Sequence, residues 1–119
     1  MERNIVFYRT ESGKCPIEEF FNSLPSKDAQ KVAWVLRVIR ELEKVPSRFF
    51  KKLLGSEEIW ECRIQIQSKA YRIFSFFQDG GTIVLTHGYL KKSQKTDPKQ
   101  IKRAERYRRD YLARKRRPS

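Results

Sequence analysis

A run of alternating apolar and polar residues lies near the centre of this chain. From Trp60 to Gln67, apolar side chains occupy every second position, and polar or charged side chains occupy the positions between them. This period of two predicts a β-strand with one buried face. The next run, Tyr71–Gln78, is apolar or aromatic on both faces, which is typical of a central strand. Asp79-Gly80-Gly81 predicts a tight hairpin with positive φ angles, and Thr82–Leu90 then returns as a third, antiparallel strand.

Two helices are predicted before this sheet. Pro16 suits the first turn of a helix, and apolar residues follow at helical spacing from Ile17 to Leu24. Pro25 ends this helix, and Ser26 is the predicted N-cap of the next one. The side chains expected in the buried stripe of the second helix are Val32, Trp34, Val35, Leu36, Val38, Ile39 and Leu42. Such a stripe is typical of a helix that packs on a core.

The remaining segments are less regular. Ile5–Arg9 is predicted to be a short strand at an edge of the sheet, and the segment 43–58 is expected to lie across the sheet. Asp97 and Pro98 predict the start of a last helix. Its narrow apolar edge consists of Ile101, Ala104, Tyr107 and Tyr111. Its basic end, 114–117, is expected to be frayed.

The charge of the chain is strongly positive and unevenly distributed. The 119 residues include 27 Lys or Arg and 14 Asp or Glu, a net charge of +13. Residues 91–119 carry +10 of this excess, which leaves a nearly balanced domain with a basic end. Such a field favours polyanionic partners: nucleic acid, an anionic membrane surface or an acidic protein. The alternative is a solvated basic tail without a partner.

Cysteine and histidine usage points away from disulfides and metal sites. Cys15 precedes a helix and Cys62 lies on the apolar face of its strand, so we do not expect them to form a disulfide. With no signal peptide and no long apolar run, a cytoplasmic location without membrane contact is expected. No CxxC or clustered His/Cys spacing occurs, so neither a metal nor another cofactor is expected. His87, the only histidine, shares the predicted face of Ile83 and Leu85, which favours a structural role.

Four cations are expected near one end of the predicted sheet. Arg63 lies on the polar face of its strand, Arg72 near the start of the central strand, and Lys91 and Lys92 at the end of the last strand. Such a convergence suits a phosphate group. Lys51 and Lys52 could face the same groove, or could simply be solvated.

Cutting RNA requires no metal, because the 2′-hydroxyl beside each phosphate is a built-in nucleophile. The protein must position this hydroxyl in line, accept its proton, stabilise the dianionic phosphorane and protonate the leaving oxygen. Arg63 and Arg72 are candidates for stabilising the phosphorane, and Lys91 or Lys92 could add charge or donate the proton. Glu61 lies on the same face as Arg63, so it could act as the base or as the salt-bridge partner of Arg63.

The motifs at these positions resemble a known family. Leu53–Ser56, Ile59–Ile64, Tyr71–Phe74 and His87–Thr96 are similar to the phage-derived HigB branch of the RelE/ParE toxin superfamily. The resemblance covers about residues 4 to 112. It implies an α+β fold with two N-terminal helices packed on a small antiparallel sheet, followed by a C-terminal helix. It also implies a toxin that cleaves messenger RNA in the ribosomal A site and is inhibited by a HigA-like helix-turn-helix antitoxin.

The resemblance assigns roles to particular residues. It implies that Arg63, Arg72, Lys91 and Lys92 are catalytic, in a metal-independent endoribonuclease. The residues expected to contact the nucleic acid are Lys51, Lys52, Gln65 and Lys95. At Gln65 this chain has a neutral amide where RelE-type relatives carry a catalytic lysine. The C-terminal tyrosine that some relatives use could correspond to Tyr107 or Tyr111.

We expect residues 1–119 to form a single toxin domain, with the basic helix and tail starting at about residue 97. Two other functions are compatible with the sequence. One is a ParE-like toxin that inhibits DNA gyrase and has no ribonuclease activity, which the neutral Gln65 favours. The other is a basic nucleic-acid-binding module without toxicity, in which the charges of the tail, rather than those of the sheet, govern binding.

Overall fold

The α+β architecture predicted from the sequence is confirmed. A computed structural model describes residues 2–117, which form five strands and three helices. In chain order, these elements are β1 (Asn4–Phe7), α1 (Pro16–Asn22), α2 (Ser26–Glu41), β2 (Phe50–Lys52), β3 (Trp60–Ile66), β4 (Lys69–Asp79), β5 (Thr82–Lys91) and α3 (Pro98–Lys115).

The five strands form one mixed sheet in the order β1-β5-β4-β3-β2. Neighbouring strands are antiparallel except β1 and β5, which run parallel. A parallel pair needs a long crossover connection, and here helices α1 and α2 and strands β2, β3 and β4 lie between β1 and β5 in the chain. The predicted edge position of the first strand is confirmed, although it makes the sheet mixed rather than purely antiparallel.

The sheet has an apolar core on each face. On one face, α1 and α2 cover the inward side chains of β3, β4 and β5, including Cys62, Ile64 and Ile73. On the other face, α3 covers Phe74, Phe76 and Val84 through its predicted apolar edge. The period-two prediction for β3 is therefore confirmed. Because α3 covers only part of its face, the ends of β3, β4 and β5 beyond it are left for polar side chains.

The start of α2 differs from the prediction. Ser26 already belongs to the helix, and Pro25 occupies the N-cap position without a side-chain hydrogen bond. The carbonyl of Pro25 accepts the first helical bond from the amide of Ala29 (2.9 Å). Trp34 is 45% exposed rather than part of the buried stripe, and its ring packs edge-on against Phe49.

The segment 43–58 was expected to lie across the sheet, and this prediction is wrong. Its residues Phe50–Lys52 form strand β2, which pairs antiparallel with β3 at the edge of the sheet. The pairing is stabilised on the α1/α2 face by stacking of Phe50 on Trp60, with ring centroids 4.8 Å apart. The pairing also places Lys51 directly opposite Glu61.

The β4–β5 hairpin forms at the predicted place, but the predicted backbone conformation is wrong. Neither Gly80 nor Gly81 has a positive φ angle. The turn is closed instead by the side chain of Asp79, whose Oδ1 accepts a hydrogen bond from the amide of Gly81 (2.8 Å).

An irregularity in β5 reverses the faces of its second half. Ile73 pairs with Gly88, whereas Ser75 pairs with Leu85, so β5 contains one more residue than β4 over this stretch. The extra residue is a β-bulge, and every side chain after it points to the opposite face. Gly88 now faces α1, where a Cβ atom would lie 2.7 Å from the ring of Phe20. Tyr89 and Lys91 therefore share the α3 face with Arg72.

The bulge also corrects the predicted position of His87. Its ring lies on the α3 face, tilted against Phe74, and its Nε2 is 2.9 Å from Oε1 of Gln100. Burial, aided by the charge of Arg103, lowers the pKa of His87 to about 3. The predicted structural role is supported, although the predicted face is wrong.

The C-terminal helix begins as predicted and ends differently. Asp97 caps it by accepting a hydrogen bond from the amide of Lys99 (2.9 Å). Its end is not frayed at Arg114, which donates to Asp110 (2.8 Å) and to the carbonyl of Arg9. Arg114 also lies over the ring of Tyr8. These contacts attach the last turn of α3 to the segment that follows β1.

Candidate active site

The predicted cations converge through the register of the sheet. Arg63 on β3 pairs directly with Arg72 on β4. Lys91 on β5 pairs with Ala70, two residues before Arg72 on the same face. Three of the four predicted cations therefore lie on adjacent strands of one face, beside the part covered by α3.

A buried carboxylate holds the two arginines. Glu61 is 3% exposed, and its Oε1 lies 3.3 Å from Nε of Arg72 and 3.5 Å from Nε of Arg63. Its Oε2 accepts a hydrogen bond from the hydroxyl of Thr96 (2.7 Å). Of the two roles considered for Glu61, the geometry matches the salt-bridge partner, and it extends that role to a second arginine. The carboxylate neutralises only one of the two guanidinium charges.

Arg72 is the more enclosed of the two arginines. It is 6% exposed, and its Nη1 donates to the carbonyl of Tyr71 (3.1 Å). Within residues 2–117 its buried Nε has no aligned hydrogen-bond partner, so the attraction to Glu61 is ionic. Burial lowers the pKa of Arg72, and the charge of Glu61 opposes this effect. A guanidinium remains protonated in such surroundings, so the site keeps a buried positive charge.

Lys91 has the electrostatics of a proton donor. Its Nζ donates to the carbonyl of Gln94 (2.7 Å), at the edge of the site. Partial burial, followed by the charge of Arg72, lowers the pKa of Lys91. A lowered pKa makes the ammonium group a stronger acid than an ordinary lysine.

An open cavity of about 280 Å³ adjoins these groups. It is lined by Lys51, Lys52, Leu53, Leu54, Glu61, Arg63, Lys91, Gln94 and Thr96. Lys51 is exposed, while Lys52 is partly buried and its Nζ pairs with Glu58 (2.9 Å). The predicted groove that Lys51 and Lys52 share with Arg63 is therefore present, and β2 provides its wall.

The other predicted site residues lie outside this cavity. Lys92 and Lys95 line a separate cavity of about 360 Å³ beside the start of α3. Gln65 and Arg72 line a third cavity of about 250 Å³, which Arg63 shares. The side-chain amide of Gln65 donates a hydrogen bond through Nε2 to the backbone carbonyl of Gln67 (2.8 Å). The fourth predicted cation, Lys92, is thus separated from the other three.

The C-terminal tyrosines, Tyr107 and Tyr111, belong to α3 and lie on the face of this helix that packs on the sheet. Tyr107 stacks on Tyr8, with ring centroids 4.6 Å apart, and accepts a hydrogen bond from Arg103. Tyr111 packs on Phe76 and donates to Gln78. Tyr89 lies closer to the arginines, as the register partner of Arg72, and its hydroxyl accepts a hydrogen bond from the amide of Asp97 (3.1 Å). Burial raises the pKa of Tyr89.

Three residues at the site had no role in the sequence analysis. Arg48 lines the third cavity, and Gln94 and Thr96 line the first. Arg48 and Thr96 reach the site from loops whose contacts join distant parts of the chain, so no local spacing indicates them. The sequence offered two signals for Thr96, its place at the end of the motif His87–Thr96 and its position directly before the predicted helix cap at Asp97.

Two further features of residues 2–117 concern the class of protein. Within this range, no group of three or more His, Cys, Asp or Glu side chains is arranged to hold a metal ion. Across the same residues, no helix combines the length and apolar composition needed to cross a bilayer. Cys15 and Cys62 are both free thiols, as predicted, and both are buried.

The chain was compared with known proteins. No curated protein matches it. The model of the family described as phage-derived protein Gp49-like (DUF891) matches residues 19–109, which include most of α1, all of α2, strands β2 to β5 and most of α3. This is a family of RelE-like and toxin-like proteins and is associated with the toxins of toxin–antitoxin systems, which implies an antitoxin partner. Because the match covers well over half of its residues, this chain belongs to the phage-derived Gp49-like family.

Proposed function

We propose that this protein is the toxin of a type II toxin–antitoxin system, of the HigB kind, and that it cleaves messenger RNA on the ribosome. In this proposal residues 1–119 form one toxin domain. The observation that carries it is the grouping of Arg63, Arg72 and Lys91 on one face of the sheet beside an open cavity. A protein that acted only by binding would not need two guanidinium groups held by a buried carboxylate.

The proposed reaction is attack of the 2′-hydroxyl of the RNA on the adjacent phosphorus. The hydroxyl proton leaves to water in the open cavity, and the 5′-oxygen departs to leave a 2′,3′-cyclic phosphate. Arg63 and Arg72 stabilise the additional negative charge of the phosphorane, since preorganised cations are effective in a partly buried site. Lys91, with its lowered pKa, donates a proton to the departing 5′-oxygen.

The proposed partners follow from the charge of the surface. Residues 91–119 carry +10, and α3 presents much of this charge. Phosphates of ribosomal RNA are therefore the proposed docking surface for α3, and Lys51, Lys52, Gln65 and Lys95 are proposed to contact the RNA substrate. A HigA-like helix-turn-helix protein is the proposed antitoxin.

One observation favours a second candidate, a ParE-like inhibitor of gyrase. Among residues 2–117, Glu61 is the only carboxylate that lines the first cavity, and it is occupied by two arginines and Thr96. Gln65 supplies no base. Among the described residues that line this cavity there is thus no free carboxylate to serve as a general base, and a protein that only binds gyrase would need none.

Two assays on the same proteins separate these candidates. Purified protein is added to ribosomes programmed with a defined message, and cleavage is mapped by primer extension; in parallel, supercoiling by gyrase is measured. We expect message cleavage that requires ribosomes, and no effect on supercoiling.

Two variants test the role of the sheet cations. We expect Arg63→Met to lose most of the cleavage, whereas Arg37→Met should retain it, because Arg37 is exposed on α2 and its side chain lies 4.0 Å from Glu41 at the surface. Failure of the wild type to cleave, together with inhibition of gyrase, would establish the second candidate instead.

A further inference from the structure

The loop between β5 and α3, residues 92–97, is attached to the candidate site by the site's own side chains. Nζ of Lys91 donates to the carbonyl of Gln94 (2.7 Å), and the hydroxyl of Tyr89 accepts from the amide of Asp97 (3.1 Å). The hydroxyl of Thr96 donates to Oε2 of Glu61 (2.7 Å). Of these three attachments, only the one made by Thr96 reaches the buried carboxylate.

Within residues 2–117, the one side-chain hydrogen bond to the carboxylate of Glu61 comes from Thr96. The last torsion of a glutamate side chain is broad, so the plane of its carboxylate must be set by partners on its oxygens. Oε1 faces both guanidinium groups, at 3.3 Å from Arg72 and 3.5 Å from Arg63. In the part of the chain that the structure describes, neither contact is an aligned hydrogen bond: Nε of Arg72 has no hydrogen-bond partner, and the contact of Arg63 at 3.5 Å is an ion pair. The aligned hydrogen bond to Oε2 comes from Thr96.

We propose that Thr96 is a positioning residue: its hydroxyl fixes the plane of the Glu61 carboxylate, and Glu61 in turn holds Arg63 and Arg72 in the geometry that receives the scissile phosphate. The inference rests on the proposed function for its catalytic consequence, although not for its geometry. The two guanidinium groups are adjacent like charges and repel each other. Their relative position therefore depends on the carboxylate between them.

The loop has enough other attachments for this role to be tested without unfolding it. If the Thr96 hydroxyl is removed, the contacts Lys91–Gln94 and Tyr89–Asp97 remain, and Asp97 still caps α3 through the amide of Lys99 (2.9 Å). Thr96→Val has nearly the same shape as the wild type and lacks only the donor. Thr96→Ser keeps the donor and loses only the methyl group. Thr10→Val removes a loop hydroxyl far along the chain, bonded to Ser12 and Lys14, and serves as the control.

The first readout is structural and needs no substrate. Hydrogen exchange of the Arg72 Nε–H is followed by nuclear magnetic resonance in the free protein. We expect Thr96→Val to speed this exchange by about tenfold or more, because the carboxylate no longer holds the guanidinium. Thr96→Ser and Thr10→Val should exchange like the wild type. Unchanged exchange in Thr96→Val, or equally fast exchange in Thr96→Ser, would overturn the proposal.

The second readout is single-turnover cleavage at saturating ribosome. Displacement of catalytic groups by about 1 Å can cost roughly a hundredfold in rate, so we expect Thr96→Val to be about 10- to 100-fold slower, with unchanged ribosome affinity. In a Glu61→Gln background the same substitution should have little further effect, because Thr96 acts through the carboxylate. Equal losses in both backgrounds would overturn the route through Glu61. If Thr96→Val speeds the exchange of the Arg72 Nε–H but the wild-type protein cuts no message, the positioning role is supported and the ribonuclease function is rejected.

Discussion

Replacement of Arg72 by methionine gives the sharpest test of the proposed chemistry. Because Arg72 is 6% exposed, alanine would leave a cavity, whereas methionine fills much of the space of the arginine stem. Loss of one preorganised charge donor typically costs about 2.7–4 kcal/mol of transition-state stabilisation, or roughly a hundred- to a thousandfold in rate. The same loss should be seen at saturating ribosome, since the missing interaction is made in the transition state.

The effect of this substitution on stability should be smaller than the effect on rate. Glu61 would lose its partner Arg72, but it keeps Arg63 at 3.5 Å and the hydroxyl of Thr96 at 2.7 Å. Leaving a buried polar group less well satisfied costs about 1–3 kcal/mol, against a total stability on the order of 5–15 kcal/mol. The variant should therefore remain folded, with a lower melting temperature by circular dichroism.

The assay is single-turnover cleavage of a defined message on saturating ribosomes, with Arg37→Met as the control. Arg37 also lies near a glutamate, Glu41, at 4.0 Å, but its side chain is 66% exposed and lies on α2, away from the proposed site. Exposed pairs of this kind contribute about 0–1 kcal/mol, so the control should cleave at the wild-type rate. If folded Arg72→Met also cleaves at the wild-type rate, Arg72 does not stabilise the transition state.

Three other outcomes are expected. Asp28 accepts hydrogen bonds from Lys69 and Tyr71, and the bond from Lys69 lowers the pKa of Asp28. Below about pH 3.8 the unfolded chain therefore binds more protons than the folded protein, and stability is lost as the pH falls through the lowered pKa of the folded state. Asp28→Asn should be less stable at neutral pH and should show a flatter acid limb in denaturation at several pH values. Burial lowers the pKa of His87 to about 3, so between about pH 6.5 and 3 only the unfolded state binds the extra proton, and stability falls as the pH falls across that window. In the same titration, His87→Gln should weaken this pH dependence of stability without moving the pH profile of cleavage. A shifted cleavage profile would give His87 a catalytic role. Removal of residues 115–119 keeps Arg114 and its contact with Asp110. It should weaken ribosome binding and reduce the slope of log affinity against log salt concentration by about 0.7–0.9 for each phosphate group that the shortened chain no longer binds, with the cleavage rate at saturating ribosome unchanged. A slower cleavage rate at saturating ribosome would mean that this end takes part in catalysis.

Several features of the molecule follow from local sequence alone. The alternation from Trp60 to Gln67 determines which side chains of β3 are buried, and Asp97-Pro98 determines where α3 begins. Both depend on the spacing of residues a few positions apart, which the chain specifies without reference to distant segments. The placement of Arg63 on the polar face follows for the same reason.

Tertiary pairing decided the composition of the site. The β-bulge in β5 turns Lys91 onto the face of Arg72; by strict alternation from Leu85 it would have pointed towards α1 and α2. The same bulge moved His87 to the opposite face from the one predicted. A bulge depends on how two strands align, so the alternation within one strand cannot indicate it.

The arrangement around Glu61 also required the folded structure. Glu61 and Arg63 are neighbours on one strand face, and their pairing could be predicted from the sequence. Arg72 and Thr96 reach the same carboxylate from β4 and from the loop before α3, 11 and 35 residues further along the chain. Residue types and local periodicity thus determine which cations are available and on which face of β3 they lie. Contacts between distant segments determine which of those cations share one carboxylate and one cavity, because they depend on strand register and loop closure.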